Sequence, residues 1–150
     1  MGQGTLTLPP GGTVYVDTQI LIYTVERHPV YGPALQPAWQ AVKSQSLGVA
    51  TSEIAVLEAL VTPIRHGDAA LRRDYESVLF SPDTHLVPVS RDVLLRAAAL
   101  RAAVPRLRTP DAIHAAAALG LGCSMFLTND TDFRGVPGLP VTILDDVLQP

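Results

Sequence analysis

The chain has 150 residues, 47% of them hydrophobic and 17% charged, with a formal net charge of −3. That is one domain's worth of sequence with ample apolar material for a core, which excludes a disordered tail, a collagen or a coiled coil. The negative sign argues at first against an electrostatic nucleic-acid binder, and the single cysteine, Cys123, excludes a disulfide framework or a multi-cysteine zinc site.

Residues 1–12 mix Gly and Pro without a period and read as a flexible amino-terminal arm; residues 13–150 read as one domain. Thr13 to Val16 is a short β-branched and aromatic run ended by Asp17, as expected of a strand buried on both faces. A helix is expected from Ile20, and His28 to Pro37, with three prolines, reads as a loop. Pro37 to Ser46 reads as a helix and Leu47 to Thr51 as a second strand. Ser52 is placed to cap a helix from Glu53 to about His66, which Pro63 should bend or end. Further helices are expected over Asp68–Phe80 and Asp92–Val104, around a strand at Leu86–Val89. Thr109-Pro110-Asp111 opens the next helix, with Thr as cap, Pro at the first position and Asp in the first turn. Gly120 and Gly122 close it, followed by a strand at Ser124–Thr128 and a fifth at Pro140–Leu144. Strands alternating with helices predict an α/β protein: a three-layer α/β/α sandwich around a parallel four- or five-stranded sheet. No apolar run is long enough to span a bilayer and no signal peptide opens the chain, so the sequence-based expectation is a cytoplasmic protein with no membrane partner.

Several carboxylates stand in places that need explanation. Asp17, Asp130 and Asp132 follow strands, at the edge of the sheet where α/β proteins bind ligands. Turn chemistry explains each of them singly just as well. On a helical wheel Ile54, Leu57, Val61 and Ile64 share a face expected to meet the core, and Glu58 falls inside it. A charge there needs a partner, such as an arginine, or a metal. Asp111 at a helix start is favoured by the helix dipole in any case. Together these oxygen donors suit a hard cation, Mg²⁺ or Mn²⁺.

Four stretches carry a resemblance. They are Val16-Asp17-Thr18, Thr51-Ser52-Glu53 to Leu57-Glu58, Arg108-Thr109-Pro110-Asp111-Ala112-Ile113-His114, and Phe126-Leu127-Thr128-Asn129-Asp130-Thr131-Asp132. In order and spacing they resemble the PIN-domain nucleases, most of all the VapC-type toxins of toxin–antitoxin pairs. The resemblance implies a PIN-like fold and a metal-dependent ribonuclease that hydrolyses RNA with metal-activated water. It implies Asp17, Glu58, Asp111 and Asp130 as catalytic residues and ligands of Mg²⁺ or Mn²⁺, with Asp132 as a substitute in the fourth place. Thr18 and Thr128 match the hydroxyl residues beside such a pocket. It further implies an antitoxin partner and a homodimer.

Arg91, Arg96, Arg101, Arg106 and Arg108 could meet RNA phosphates or form a solvated helix face; Arg108, three before Asp111, has the best placement. His114 is one turn beyond Asp111 and can line the cleft or be buried and paired. Two competing readings are a catalytically silent PIN-like interaction module and an aspartate-based phosphatase. The second lacks its second Asp, since position 19 is Gln, and the only lysine is Lys43. Without Asp17, Glu58, Asp111 and Asp130 the formal charge of −3 becomes +1, so the acidity that argued against nucleic acid resides in the expected catalytic set.

Overall fold

A computed structural model describes residues 4–148; residues 1–3 of the expected arm and 149–150 lie outside the described residues. The described chain runs β1 (Thr13–Val16), α1 (Thr18–Val25), α2 (Tyr31–Lys43), β2 (Gly48–Ser52), α3 (Ile54–Arg65), α4 (Ala69–Leu79), β3 (Thr84–Val87), α5 (Arg91–Ala103), α6 (Thr109–Leu121), β4 (Met125–Thr128), a 3-10 turn (Thr131–Gly135), β5 (Val141–Ile143) and α7 (Leu144–Leu148). All five strands are parallel, in the order β3-β2-β1-β4-β5. From β1 the chain builds the sheet outward through β2 and β3, then returns to the other side of β1 for β4 and β5. Such a reversal opens a crevice at the carboxyl ends of the two central strands. Asp17 directly follows one of these and Asp130 comes two residues after the other.

The period of two along a strand divides the interior into two cores. Val14, Val16, Met125 and Leu127 face one core, with Ile20, Leu35, Leu60, Tyr75 and Leu144. Tyr15, Ala50 and Phe126 face the other, with Leu107, Ile113 and Phe133. α6 is buried continuously from Ala112 to Ala118, because its alanines let the backbone lie close against the sheet. Gly122 ends it in the left-handed conformation at φ 69°.

Three expectations need correction. The segment read as a loop, His28 to Pro37, is mostly helix, since α2 begins at Tyr31. Pro33 sits in the first turn, where its missing N–H has no intrahelical acceptor, and Pro37 is tolerated inside the helix because Leu35 and Ala38 are fully buried. Second, the strand expected at Leu86–Val89 runs from Thr84 to Val87, so Pro88 falls beyond it. Third, α3 faces the core with Ala55, Ala59, Leu60 and Pro63, whereas Leu57, Val61 and Ile64 are 71%, 46% and 52% exposed. The small alanines, not the large aliphatics, mark the packed side.

Residues 4–12 form no strand or helix, yet Leu6 is buried in the first core. Gly12, at φ 87°, leads into β1, and its carbonyl accepts from Gly48 N at 2.9 Å. A Cβ there would lie 2.0 Å from Ser124 Oγ. Gly12→Ala is therefore expected to cost about 2 kcal/mol through backbone strain and crowding, a fall of about 5 °C in melting temperature by calorimetry.

Candidate active site

Asp17 caps the amino terminus of α1. Its Oδ1 accepts from Ile20 N at 3.2 Å and its Oδ2 from the Thr128 hydroxyl of β4. Thr128 Oγ1 in turn accepts from Asp130 N at 3.0 Å, which ties the ends of both central strands together. Asp17 is only 7% exposed. Burial pushes its carboxyl pKa up, and neighbouring Asp130 adds to this, against the opposing influence of His114, Thr128 and Ile20 N–H.

Glu58 reaches the same place from α3. Its Oε1 accepts from Thr18 Oγ1 at 2.7 Å and lies 3.0 Å from His114 Nε2. The other ring nitrogen of His114, Nδ1, lies 2.8 Å from the Tyr15 hydroxyl. A single assignment satisfies the whole chain: Tyr15 donates to Nδ1, and the proton on Nε2 is shared between Glu58 and Thr18, the latter at 3.1 Å. Burial alone would raise the Glu58 pKa; the hydrogen bonds from His114 and Thr18 outweigh it and bring it below the ordinary value. The charge on α3 is thus satisfied by a buried histidine rather than by an arginine.

Asp111 sits in the first turn of α6, and its Oδ2 accepts from Arg108 Nε at 3.4 Å. Burial raises its pKa, as does Asp130 across the cleft. Asp130 caps the 3-10 turn, its Oδ1 accepting from Asp132 N at 2.9 Å. Asp17, Glu58, Asp111 and Asp130 therefore come from four separate segments to line one cleft of about 530 Å³, together with Thr18, Arg108 and His114. Asp132 is not among the lining residues. Thr128 stands behind Asp17. A smaller, apolar cavity of about 290 Å³ between α2, α4 and the sheet has only Lys43 and Asp83 as charges, so the titratable groups single out the carboxylate cleft.

In residue type and charge this set fits a hard divalent cation: oxygen donors of one sign, two of them, Asp17 and Asp111, with ionised forms disfavoured by burial and by the neighbouring Asp130. The carboxyl groups stand apart around the cleft, however. Among the described residues no three Asp, Glu, His or Cys side chains are grouped in metal-holding positions.

The PIN domain family matches residues 14–139, a span that contains all four carboxylates. The chain belongs to the PIN domain family. No curated protein matches it in sequence. Among solved structures, this PIN domain is similar to a toxin–antitoxin complex from Klebsiella pneumoniae, at 26% identity and TM-score 0.65 over 87% of this chain and 97% of that one. It is also similar to VapC20 of Mycobacterium tuberculosis, a toxin that cleaves the sarcin–ricin loop, at 17% identity and TM-score 0.66 over 85% and 98%. A third is VapBC-5 of Mycobacterium tuberculosis, at 23% identity and TM-score 0.56 over 90% and 98%.

Sequence reasoning missed Tyr23, Asn129 and Gln19, which also line the cleft of this PIN domain. It also missed the Tyr15 hydroxyl, although a tyrosine inside a fully buried strand signals a buried hydrogen-bond partner. Of the arginines, Arg101 fastens the α5–α6 turn through Leu107 O at 3.1 Å and Thr109 Oγ1 at 2.9 Å. Arg91, Arg96 and Arg106 are exposed, and Arg108 is the one that lines the cleft.

Proposed function

We propose that this PIN domain is a Mg²⁺- or Mn²⁺-dependent endoribonuclease, the toxin member of a VapBC-type toxin–antitoxin pair. The observation that carries this reading is the convergence of Asp17, Glu58, Asp111 and Asp130 on one cleft at the carboxyl edge of the sheet. Asp17 and Asp111 would be the principal metal ligands; Glu58 and Asp130 complete the set or orient the attacking water. Asp130 takes the fourth place over Asp132, because it lines the cleft. When bound, the cation neutralises charge on the scissile phosphate and acidifies water. Thr128 and Ile20 N–H fix the direction of Asp17, and Thr18 with His114 fixes Glu58. Arg108, 78% exposed at its side chain, is free to swing from Asp111 to a phosphate.

A panel of single-stranded and hairpin RNAs, incubated with the purified protein in Mn²⁺ or in excess EDTA, tests this. Cleavage that needs the cation is expected; cleavage undiminished in EDTA contradicts it. The alternative, a PIN module that binds without cleaving, draws support from the engagement of Glu58 by His114 and Thr18. It predicts no cleavage products in either buffer.

The antitoxin partner follows from the same reading, as does a homodimer. Leu57, Val61 and Ile64 make an exposed apolar stripe along α3 that pairing of two copies would cover. Among the described residues no helix is long and apolar enough to cross a membrane. Light scattering should give twice the 16.0 kDa chain mass for the parent, and about 16.0 kDa for Leu57→Asp/Val61→Asp. A monomeric parent at tens of micromolar would dispose of the dimer.

A further inference from the structure

Beside the carboxylates lies an aromatic cluster that the proposed chemistry does not use. The Tyr23 and Tyr31 rings are 4.4 Å apart at 31°, His28 is 4.6 Å from Tyr31 at 32°, and His28 meets Tyr23 edge-on at 5.2 Å. All three are half-buried, not sealed in a core. Each is also tied by its polar end. Asn129 Nδ2 donates to the Tyr23 hydroxyl at 3.3 Å, and the Asn129 carbonyl is itself held by Asp145 N at 2.9 Å. Tyr31 donates to Asp145 Oδ1 at 2.5 Å. His28 Nδ1 accepts from Val30 N and Tyr31 N at 3.2 and 3.1 Å, which fixes its ring plane. Tyr23 is the member of this cluster that lines the carboxylate cleft, next to Asn129 and Asp130.

The charge of the cleft gives this cluster a task. Among the described residues Arg108 is the only arginine or lysine on its walls, facing four carboxylates. Phosphate attraction alone therefore holds a nucleic-acid strand weakly, and an uncharged contact has to supply affinity. A nucleobase supplies one by stacking on an aromatic ring, whatever its sequence, provided that it is not paired in a duplex. We propose that Tyr23, braced by Tyr31, His28 and Asn129, is a stacking site for one unpaired RNA base next to the scissile phosphate. This rests on the ribonuclease reading for the position of the phosphate, but its test does not require cleavage.

Binding of a fluorescent ten-nucleotide single-stranded RNA is measured by anisotropy in an Asp17→Asn background, with the same sequence as a blunt duplex for comparison. Adding Tyr23→Leu should weaken single-strand binding roughly ten-fold, with the slope of log affinity against log salt unchanged, because no ionic contact is lost. Adding Tyr23→Trp should restore it, and duplex binding should be the same in all three proteins. Tyr31→Leu, which removes the brace but leaves the Tyr23 ring, should lose less than Tyr23→Leu. Unaltered binding in Tyr23→Leu, a Trp variant as weak as the Leu variant, or an equal loss on duplex overturns the proposal. Tyr23-dependent binding without any cleavage by the parent protein would sink the ribonuclease reading and leave the stacking site standing. Cleavage by a parent protein that binds no differently from Tyr23→Leu would do the reverse.

Discussion

Asp17→Asn should lose about a thousand-fold or more in divalent-dependent RNA cleavage while making the metal-free protein more stable. The first effect follows from removing the most buried carboxylate of the cleft, where charge stabilisation of the transition state amounts to several kcal/mol. The second follows from its surroundings. Burial and Asp130 raise the Asp17 pKa in the folded protein, so the folded state holds that proton more tightly than the unfolded chain does. The contribution of Asp17 to stability is then greatest below the ordinary carboxylate range, near pH 4, and is lost as the pH rises through the raised folded value. At pH 7 the ionised group costs stability, and asparagine removes that cost while keeping an oxygen to accept from Ile20 N. The variant is therefore expected to melt at a higher temperature than the parent at pH 7. The gap between variant and parent should close as the pH falls toward 4. Thermal melts in EDTA across that range check it; a variant less stable than the parent at neutral pH would contradict the electrostatic account.

His114→Ala should be among the most damaging single substitutions outside the carboxylates. The ring is 3% exposed and sits between the Tyr15 hydroxyl on one side and Thr18 and Glu58 on the other. Removing it leaves a cavity beside the second core, strands the Tyr15 hydroxyl and frees Glu58 from its buried partner. A buried polar group left unpaired costs about 1–3 kcal/mol and the cavity adds to it, so a loss of about 3 kcal/mol is expected, or roughly 6–12 °C in melting temperature. His114→Gln keeps polar atoms in the gap and should recover part of the loss. Equal melting temperatures for the alanine variant and the parent would mean that the Tyr15–His114–Glu58 connection is not made.

What the sequence could disclose followed the local rules of chain geometry. β1 was legible because Val14, Tyr15 and Val16 form an unbroken apolar run that ends at an acid. The start of α6 was legible because Thr109-Pro110-Asp111 suits a first helical turn, although Thr109 is not the cap: Arg108 holds that position without a side-chain cap, which moves Pro110 to the second helical residue. Asp17, Asp111 and Asp130 sit at strand or helix ends, where turn chemistry or the helix dipole explains each one singly, so position alone did not separate them from Asp132; their combination with Glu58 did the pointing. Glu58 was singled out for a partly mistaken reason. Hydrophobicity put Leu57, Val61 and Ile64 toward the core, but Ala55 and Ala59 let α3 pack more closely, and Glu58 reaches the cleft from the margin of that buried side. α2 was hidden by three prolines, whose cost depends on whether a given N–H would have had an acceptor and on tertiary burial. The brace of Tyr23, Tyr31, His28 and Asn129 is assembled from segments as far as 106 positions apart, and no local pattern announces it.

The most direct test of the central claim, that the four carboxylates of this PIN domain form a divalent-cation site, is calorimetric titration of the intact protein with Mn²⁺. The account predicts saturable binding of one or two ions to the parent, lost in Asp17→Asn and weakened in Asp111→Asn. Binding of equal strength and stoichiometry in the parent and Asp17→Asn, or none in the parent, would contradict it.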